Sequence, residues 1–343
     1  MSRRVTLKDI AAKSGFSRST VSLVMQNDEV VASKTRLAVQ TAAAELGYVY
    51  NRAAASLRSN QSGIFGLVVS SLSNPFFAEM ILGIENAFAR EERTVLLGQH
   101  SESLESQDRM IRKMLEASVD GILLVPTRNT DIQTFELLQK WKIPTVLLTR
   151  NIAKIDIPYV GPNNSELSQQ ATDHLFFHKR EQIAFIGGQI GTRVHDERLR
   201  GVVASAKKHG MDKKNIIVLD KDSTRMVGYS LMQDVLKKTS KNLGVLAYND
   251  IVAFGAMAAM RDSQISIGKE ISIIGFDDVT AAKYETPALT TVHLEAELIG
   301  QRAAELILNM SKGQSPEKTQ IIVKGNFVVR QSCGCKTTQG RNS

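Results

Sequence analysis

The chain has 343 residues, 43% hydrophobic and 23% charged, which excludes a disordered polymer and leaves room for two or three domains with sizeable cores. No apolar run approaches the ~20 residues of a membrane span, the opening MSRRVTLKD lacks a secretory apolar stretch, and Cys333 and Cys335 lie too close together to staple a fold, so a cytoplasmic protein without membrane contact is expected. The net charge of +8 is uneven, with nine Lys or Arg against four Asp or Glu in residues 1–61, which suits a polyanion partner or, as readily, a solvated charged surface.

The first 50 residues read as three short helices. Thr6 caps the first, over Leu7, Ile10 and Ala11, with Asp9 near its positive end. Gly15 supplies the turn and Ser17 caps the second helix, in which Ser17, Arg18, Ser19, Thr20 and Ser22 precede or interleave with the apolar Val21, Val24 and Met25. Ser33 precedes a third helix, with Leu37, Val39, Ala42, Ala43 and Leu46 as its apolar positions and Gly47 closing it. Ala11, Gly15 and Val21 fall at the helix-turn-helix offsets: a small residue for close approach, a turn former, and an apolar lock.

The next segment, NRAAASLRSNQS, is a linker, in which Asn51 can cap a helix from Arg52 to Leu57 that is too short to persist alone in water. From Ile64 the pattern changes. IFGLVV, TVLLGQ, GILLVP, PTVLL, QIAFIGG, NIIVL, LGVLAY and ISIIGF read as strands buried on both faces. Between them lie helical stretches near 76–92, 104–117, 131–141, 164–178, 194–209, 225–238, 251–263 and 296–311. So many strand–helix units exceed one compact sheet and predict two α/β lobes with a break near Gly161, Pro162 and Asn163.

Signals for catalysis and metal binding are weak. Asp277–Asp278 lacks a second acid–base set at readable spacing. GGQIGT at 187–192 lacks the dinucleotide fingerprint and the P-loop lysine, and reads as a strand-end turn. The six histidines are scattered without ligand spacing, and Cys333-Gly334-Cys335 sits in a polar tail where free thiols are expected over a metal or redox role. No cofactor, no metal and no enzymatic activity are expected.

VTLKDIAAKSGFSRSTVSLVM followed by VVASKTRLAVQTAAAELGYVYNRAAASLRSNQSG, and then NPFFAE, ERLRG, AYNDIVAFGAM, IIGFDDV and PALTTV in that order, resembles the lactose-repressor/galactose-repressor family of bacterial transcription factors. The resemblance spans essentially the whole chain, and the Leu23-containing helix is similar to the maltose-regulon branch. It implies an all-α helix-turn-helix headpiece (1–50), a hinge helix and linker (51–62), and a periplasmic-binding-protein-like body (63–343) of two doubly wound parallel-sheet lobes, one from about 63–161 with 292–322 and the other from about 162–291 with 323–335. The implied function is a sequence-specific repressor that binds a near-palindromic operator as a homodimer, controlled by a small molecule, a sugar or related metabolite, between the lobes. The tail has no leucine heptads to build a tetramer.

The resemblance implies a DNA-contacting set of Thr6, Ser17, Arg18, Ser19, Thr20, Ser22, Leu23, Asn51 and Leu57. Arg18 suits a guanine edge, the hydroxyls suit phosphates or base edges, and Leu23, where relatives often carry Arg, suits thymine methyls. Leu57 would wedge into the minor groove, unless it only anchors a linker helix. The implied effector set is Ser70, Phe76, Phe77, Thr149, Arg198, Ser223, Asn249 and Asp277. Thr149 stands where relatives have Asp, and Ser223 where an aromatic residue often stacks. From the residues alone, Phe76–Phe77 also fit a plain core, and Arg198 with Asp277 also fit a lobe-to-lobe salt bridge. A sugar-binding transport receptor and a nucleotide-dependent α/β enzyme remain alternatives, disfavoured by the basic headpiece and by the missing phosphate loop.

Overall fold

The computed structural model describes residues 5–25, 28, 30–49, 61–152, 155–239 and 242–335; Asn51, Leu57 and the expected hinge helix lie outside them. The chain divides into two compact units, Met1–Ser62 and Gly63–Ser343.

The first unit contains α1 (Leu7–Ser14), α2 (Arg18–Met25) and α3 (Ser33–Glu45). Ile10, Val21, Val24, Val39, Ala42 and Ala43 form its core. The Asp9 carboxylate accepts from the Thr6 backbone N–H at 2.8 Å and from its hydroxyl at 2.7 Å, fixing the start of α1. Leu37, expected among the apolar positions of α3, is 67% exposed. Val39, Ala42, Ala43 and Leu46 follow the i, i+3, i+4, i+7 stripe, and a residue two positions before that stripe begins points away from it.

The second unit opens with alternating strands and helices: β1 (Ile64–Val69), α4 (Pro75–Ala89), β2 (Thr94–Gln99), α5 (Leu104–Glu116), β3 (Ile122–Leu124), α6 (Ile132–Lys140), β4 (Thr145–Leu148) and β5 (Tyr159–Pro162). A second series follows: α7 (Asn164–Phe177), β6 (Gln182–Ile186), α8 (Arg193–Lys208), β7 (Ile216–Leu219), α9 (Arg225–Leu236), β8 (Leu243–Ala247), α10 (Asp250–Asp262) and β9 (Ile271–Ile274). The return comprises β10 (Thr291–His293), α11 (Ala296–Ser311), β11 (Gln320–Val323) and β12 (Asn326–Val328).

Two parallel sheets result, as expected for strands buried on both faces. One has the order β11-β5-β4-β3-β1-β2, the other β7-β6-β8-β9, and β10 pairs antiparallel with β12. The chain passes from one sheet to the other at residues 162–164, 275–296 and 323–326, so each lobe is assembled from separated segments. Met80 and Ile84 of α4 pack with Ile299, Ala303 and Ile307 of α11, tying the returning chain into the first lobe.

All eight apolar runs form strands. The four strands outside those runs, β5, β10, β11 and β12, have three or four residues each, and Gly161 and Pro162 interrupt the pattern of β5. Partners elsewhere in the chain define such strands, as when Tyr159–Pro162 pairs with Gln320–Val323. β2 is an edge strand, which leaves Leu96 at 38% and Leu97 at 41% exposed.

Candidate functional site

In the headpiece, α2 sorts its residues by side. Val21 and Val24 are buried, Thr20 and Ser22 are half-buried, and Ser17, Arg18, Ser19 and Leu23 are exposed. Ser17 Oγ accepts from the Thr20 N–H at 3.1 Å and also meets Ser19 Oγ at 2.7 Å and Thr20 Oγ1 at 2.9 Å. The first turn of α2 carries no acidic residue, so nothing offsets the positive end of the helix dipole. The outcome is a short outward face of hydroxyls, one guanidinium and one leucine, with no carboxylate to repel a phosphate. Thr6 belongs to the cap of α1, its hydroxyl bonded to Asp9.

In the body, a cavity of about 490 Å³ lies between the lobes, where the carboxyl ends of the strands face each other. Ser70 follows β1, Thr149 follows β4, Asn249 follows β8 and Asp277 follows β9. Phe76 and Phe77 come from the first turn of α4, Arg198 from α8 and Ser223 from the loop before α9. All eight residues expected around an effector line this cavity. Phe76 and Phe77 are also core, only 5% and 7% exposed and packed edge to face at 5.4 Å. The pair is thus part of the core and of the cavity wall at once.

Arg198 anchors the second lobe's wall. Its Nε donates to Asn164 Oδ1 at 3.1 Å, another nitrogen donates to the Tyr248 carbonyl, and a third lies 3.8 Å from Asp277 Oδ1. Its guanidinium stacks 3.9 Å from the centroid of Phe276. Arg198 and Asp277 both belong to the second lobe, so they are not the lobe-to-lobe bridge that the sequence left open. One cross-lobe link is made by Asn74, whose Nδ2 donates to Asp277 Oδ2 at 2.9 Å while its Oδ1 caps α4 by accepting from the Phe76 N–H. Burial pushes the Asp277 carboxyl up to about 6, with Arg198 and Asn74 pulling the other way. Burial likewise lowers Arg198, against the pull of Asp277 and Tyr248. Both charges are thus held in a site that solvates them incompletely.

The adjacent Asp278 has a different environment. It meets Arg330 at 2.7 Å and His293 at 3.3 Å, and although burial raises its carboxyl, these partners hold it below the usual value. The two carboxylates therefore do not act as an acid–base pair. Behind them, fully buried Asp250 accepts from the Val279 N–H at 2.9 Å and from Thr291 Oγ1 at 2.5 Å, which fixes the loop that carries Asp277 in a left-handed conformation at φ 107°. Burial first, and Asp277 second, push the Asp250 carboxyl well above the usual range.

Among the lining groups that escaped the sequence reading are Asn74, Glu102, Arg150 and Tyr248. Glu102 and Arg150 form a two-pronged ion pair at 2.8 and 2.9 Å, and Arg150 also bonds Tyr248 across the cleft. Burial opposes the Arg150 charge, but Tyr248 and Glu102 outweigh it and hold the guanidinium protonated. Glu102 thus brings a carboxylate to the cavity although Thr149 lacks one, and Tyr248 brings an aromatic ring although Ser223 lacks one. A Cβ at Gly188, where φ is 74°, would lie 2.2 Å from the Tyr248 ring, so glycine there admits the ring. Asn74 was recognisable from an Asn-Pro helix start; Glu102 and Arg150, 48 residues apart, share no local motif.

Two family descriptions match the chain: "Bacterial regulatory proteins, lacI family" over residues 6–51, and "Periplasmic binding proteins and sugar binding domain of LacI family" over residues 62–329. The HTH-type transcriptional repressor PurR of Erwinia tasmaniensis is 30% identical over 328 residues, 95% of this chain and 96% of its own. The HTH-type transcriptional regulator CelR of Thermobifida fusca is 29% identical over 337 residues, 96% and 98% of the two chains. Among solved structures, the lac repressor dimer bound to operator and the anti-inducer ONPF superposes with a TM-score of 0.86 at 26% identity, covering 96% of this chain and 99% of that one. The CelR–cellobiose complex superposes at 0.73 and 28% identity, covering 96% and 100%.

Proposed function

Because the chain belongs to the lacI family of bacterial regulatory proteins, we propose that it is a homodimeric transcriptional repressor whose headpiece reads a near-palindromic operator and whose body senses a polyhydroxylated metabolite, in the cytoplasm and without catalysis. Residues 1–50 form the DNA-reading headpiece in this proposal, 51–62 the hinge and linker, and 63–343 the sensing and dimerising body. Ser17, Arg18, Ser19 and Leu23 meet base edges, while Thr6, Thr20 and Ser22 serve backbone contacts. Asn51 and Leu57 act in the hinge. One headpiece reads too few base pairs for selectivity, and two copies give twofold-related half-sites. The exposed edge strand β2, with Leu96 and Leu97, is apolar surface available to a second copy.

The observation that carries the sensing role is the charged cleft between two separately built lobes. Arg198, Asp277 and Asn74 offer a fork of donors, an acceptor and an amide around a cavity of about 490 Å³, within the ~300–1,000 Å³ of small-molecule sites. The Asn74–Asp277 bond spans the cleft. A ligand hydroxyl that competes for Asp277 changes the relative stability of open and closed bodies, and that difference is what the hinge can transmit to DNA. Cellobiose in CelR supports a carbohydrate as the ligand class.

Selection from a random duplex library with the full-length chain tests the proposal. Enrichment of a palindrome is expected, and a chain lacking residues 1–61 should enrich none. A transport receptor or an enzyme would enrich no palindrome from either.

A pH dependence follows from Asp277. A ligand hydroxyl that donates to the carboxylate requires the ionised form, and burial pushes that carboxyl up to about 6. Affinity should therefore rise roughly tenfold from pH 5 to pH 7 and level off above. Asp277→Asn should flatten this profile. Calorimetric titration of the sugar across that range checks it, and an affinity that falls with rising pH would contradict the role given to Asp277.

A further inference from the structure

We propose that His174, His178, Cys333 and Cys335 form a tetrahedral structural zinc site that locks the C-terminal segment onto the second lobe. Among the described residues their four ligand atoms lie within 4.8 Å of one another. His174 Nε2 and His178 Nε2 are 3.2 Å apart, and Cys335 Sγ is 3.2 Å from the second and 3.6 Å from the first. Zinc bonds of about 2.0–2.1 Å to nitrogen and 2.3 Å to sulfur give tetrahedral edges of about 3.3–3.8 Å, so a small relaxation seats the ion. The sequence alone suggested scattered histidines and free thiols in a polar tail. Instead, Cys333 is fully buried, and the fold brings 157 residues' separation down to one contact between Cys335 and His178.

Contacts other than the ligand atoms prepare the site. His174 and His178 stand one helical turn apart at the end of α7, which aligns their rings on one face. Ser272 Oγ donates to the Cys333 carbonyl at 2.5 Å, and the Gly334 N–H donates to the Gln331 carbonyl at 3.0 Å. Gly334 has φ 102°, and a Cβ there would lie 2.3 Å from the Gly268 carbonyl, so the tight Cys-Gly-Cys turn requires glycine. Arg180 in turn donates to Gly268 O at 2.8 Å and to Ser272 Oγ at 2.9 Å. The Phe327 ring packs against His174 at 4.9 Å.

Two thiolates, two neutral imidazoles and Zn²⁺ sum to zero charge, which suits a partly apolar, half-buried pocket. On binding, each thiol releases its proton to solvent, and Cys333 gives up a weak 3.5 Å contact to the Arg330 carbonyl and its thiol contact with Cys335. Four protein ligands leave no open position, so the ion's role is structural.

The experiment uses the untagged full-length chain with Zn²⁺ alone, followed by dialysis and elemental determination, and with Co²⁺ as a spectroscopic substitute. The expected results are one retained zinc per chain, a tetrahedral cobalt spectrum with a thiolate charge-transfer band, and a melting temperature that rises with zinc. Cys335→Ser and His178→Ala should each lose the retained zinc and the melting-temperature rise, while the circular dichroism spectrum certifies that the variants are folded. Wild-type retention no greater than that of Cys335→Ser, a cobalt spectrum without the thiolate band, or a Cys333–Cys335 disulfide in place of a bound ion would each overturn the proposal.

Discussion

Arg198→Ala is expected to destabilise the body by about 3–5 kcal/mol at neutral pH, the usual cost of stranding a buried partner. The substitution leaves Asn164 Oδ1 and the Tyr248 carbonyl without their donor, removes the counter-charge of Asp277 and empties the space over the Phe276 ring. Its sign with pH is fixed by Asp277, whose folded-state value is raised from 3.8 to about 6. Such a carboxyl contributes stability that is fully present below its unfolded value and is lost as pH rises through the folded one. Without Arg198 the folded value climbs further, so the variant keeps losing stability where the wild type has levelled off. Urea unfolding at pH 5 and pH 7.5 should show the larger deficit at the higher pH. The double variant Arg198→Ala/Asp277→Asn should recover part of it, because the stranded carboxylate is gone. A deficit below about 1 kcal/mol, or one independent of pH, would refute the coupling. The ligand test is separate: loss of the fork should also weaken the effector by roughly 100-fold.

The second large effect is expected at Arg18. It is exposed on α2 beside Ser17 and Ser19, and a guanidinium there can reach a guanine edge with two hydrogen bonds. Each such contact is worth about 1–3 kcal/mol, and two half-sites double it, so Arg18→Ala should weaken operator binding by about 2–6 kcal/mol, at least some 30-fold. The loss should appear as relaxed preference at one position in each half-site, with nonspecific binding reduced far less. Fluorescence anisotropy on the selected palindrome, a variant of it and a random duplex at one salt concentration makes the comparison. Equal losses on all three would assign Arg18 to the phosphate backbone. Leu23 carries no donor, so replacing it should alter preference at a position where a thymine methyl lies.

Glu102 and Arg150 became visible only as a folded pair, and so did the His–Cys cluster. The reason is separation: 48 residues in the first case and 157 in the second. Sequence patterns reach reliably across a helical turn or along one strand. They do not reach across a sheet.

What the sequence determined by itself was local and periodic. Eight apolar runs became eight parallel strands, the central ones because a strand buried on both faces must be apolar at nearly every position, while the edge strand β2 is apolar yet largely exposed. The eight residues that the family resemblance singled out all line the cleft, because each sits just beyond a strand's carboxyl end or in the first turns of a helix, where chain position sets spatial position. Tertiary structure alone decided the rest. β5 is a strand because it finds β4 and β11, and β11 because it finds β5, each with too few residues to carry a period. Leu37 is exposed because stripe geometry, and not apolar character, selects the core face of α3. Asp277 departs from an ordinary carboxylate because the folded chain buries it, more than Arg198 and the Asn74 bond from the first lobe offset. Burial and long-range pairing are properties of the closed chain, and no window of sequence contains them.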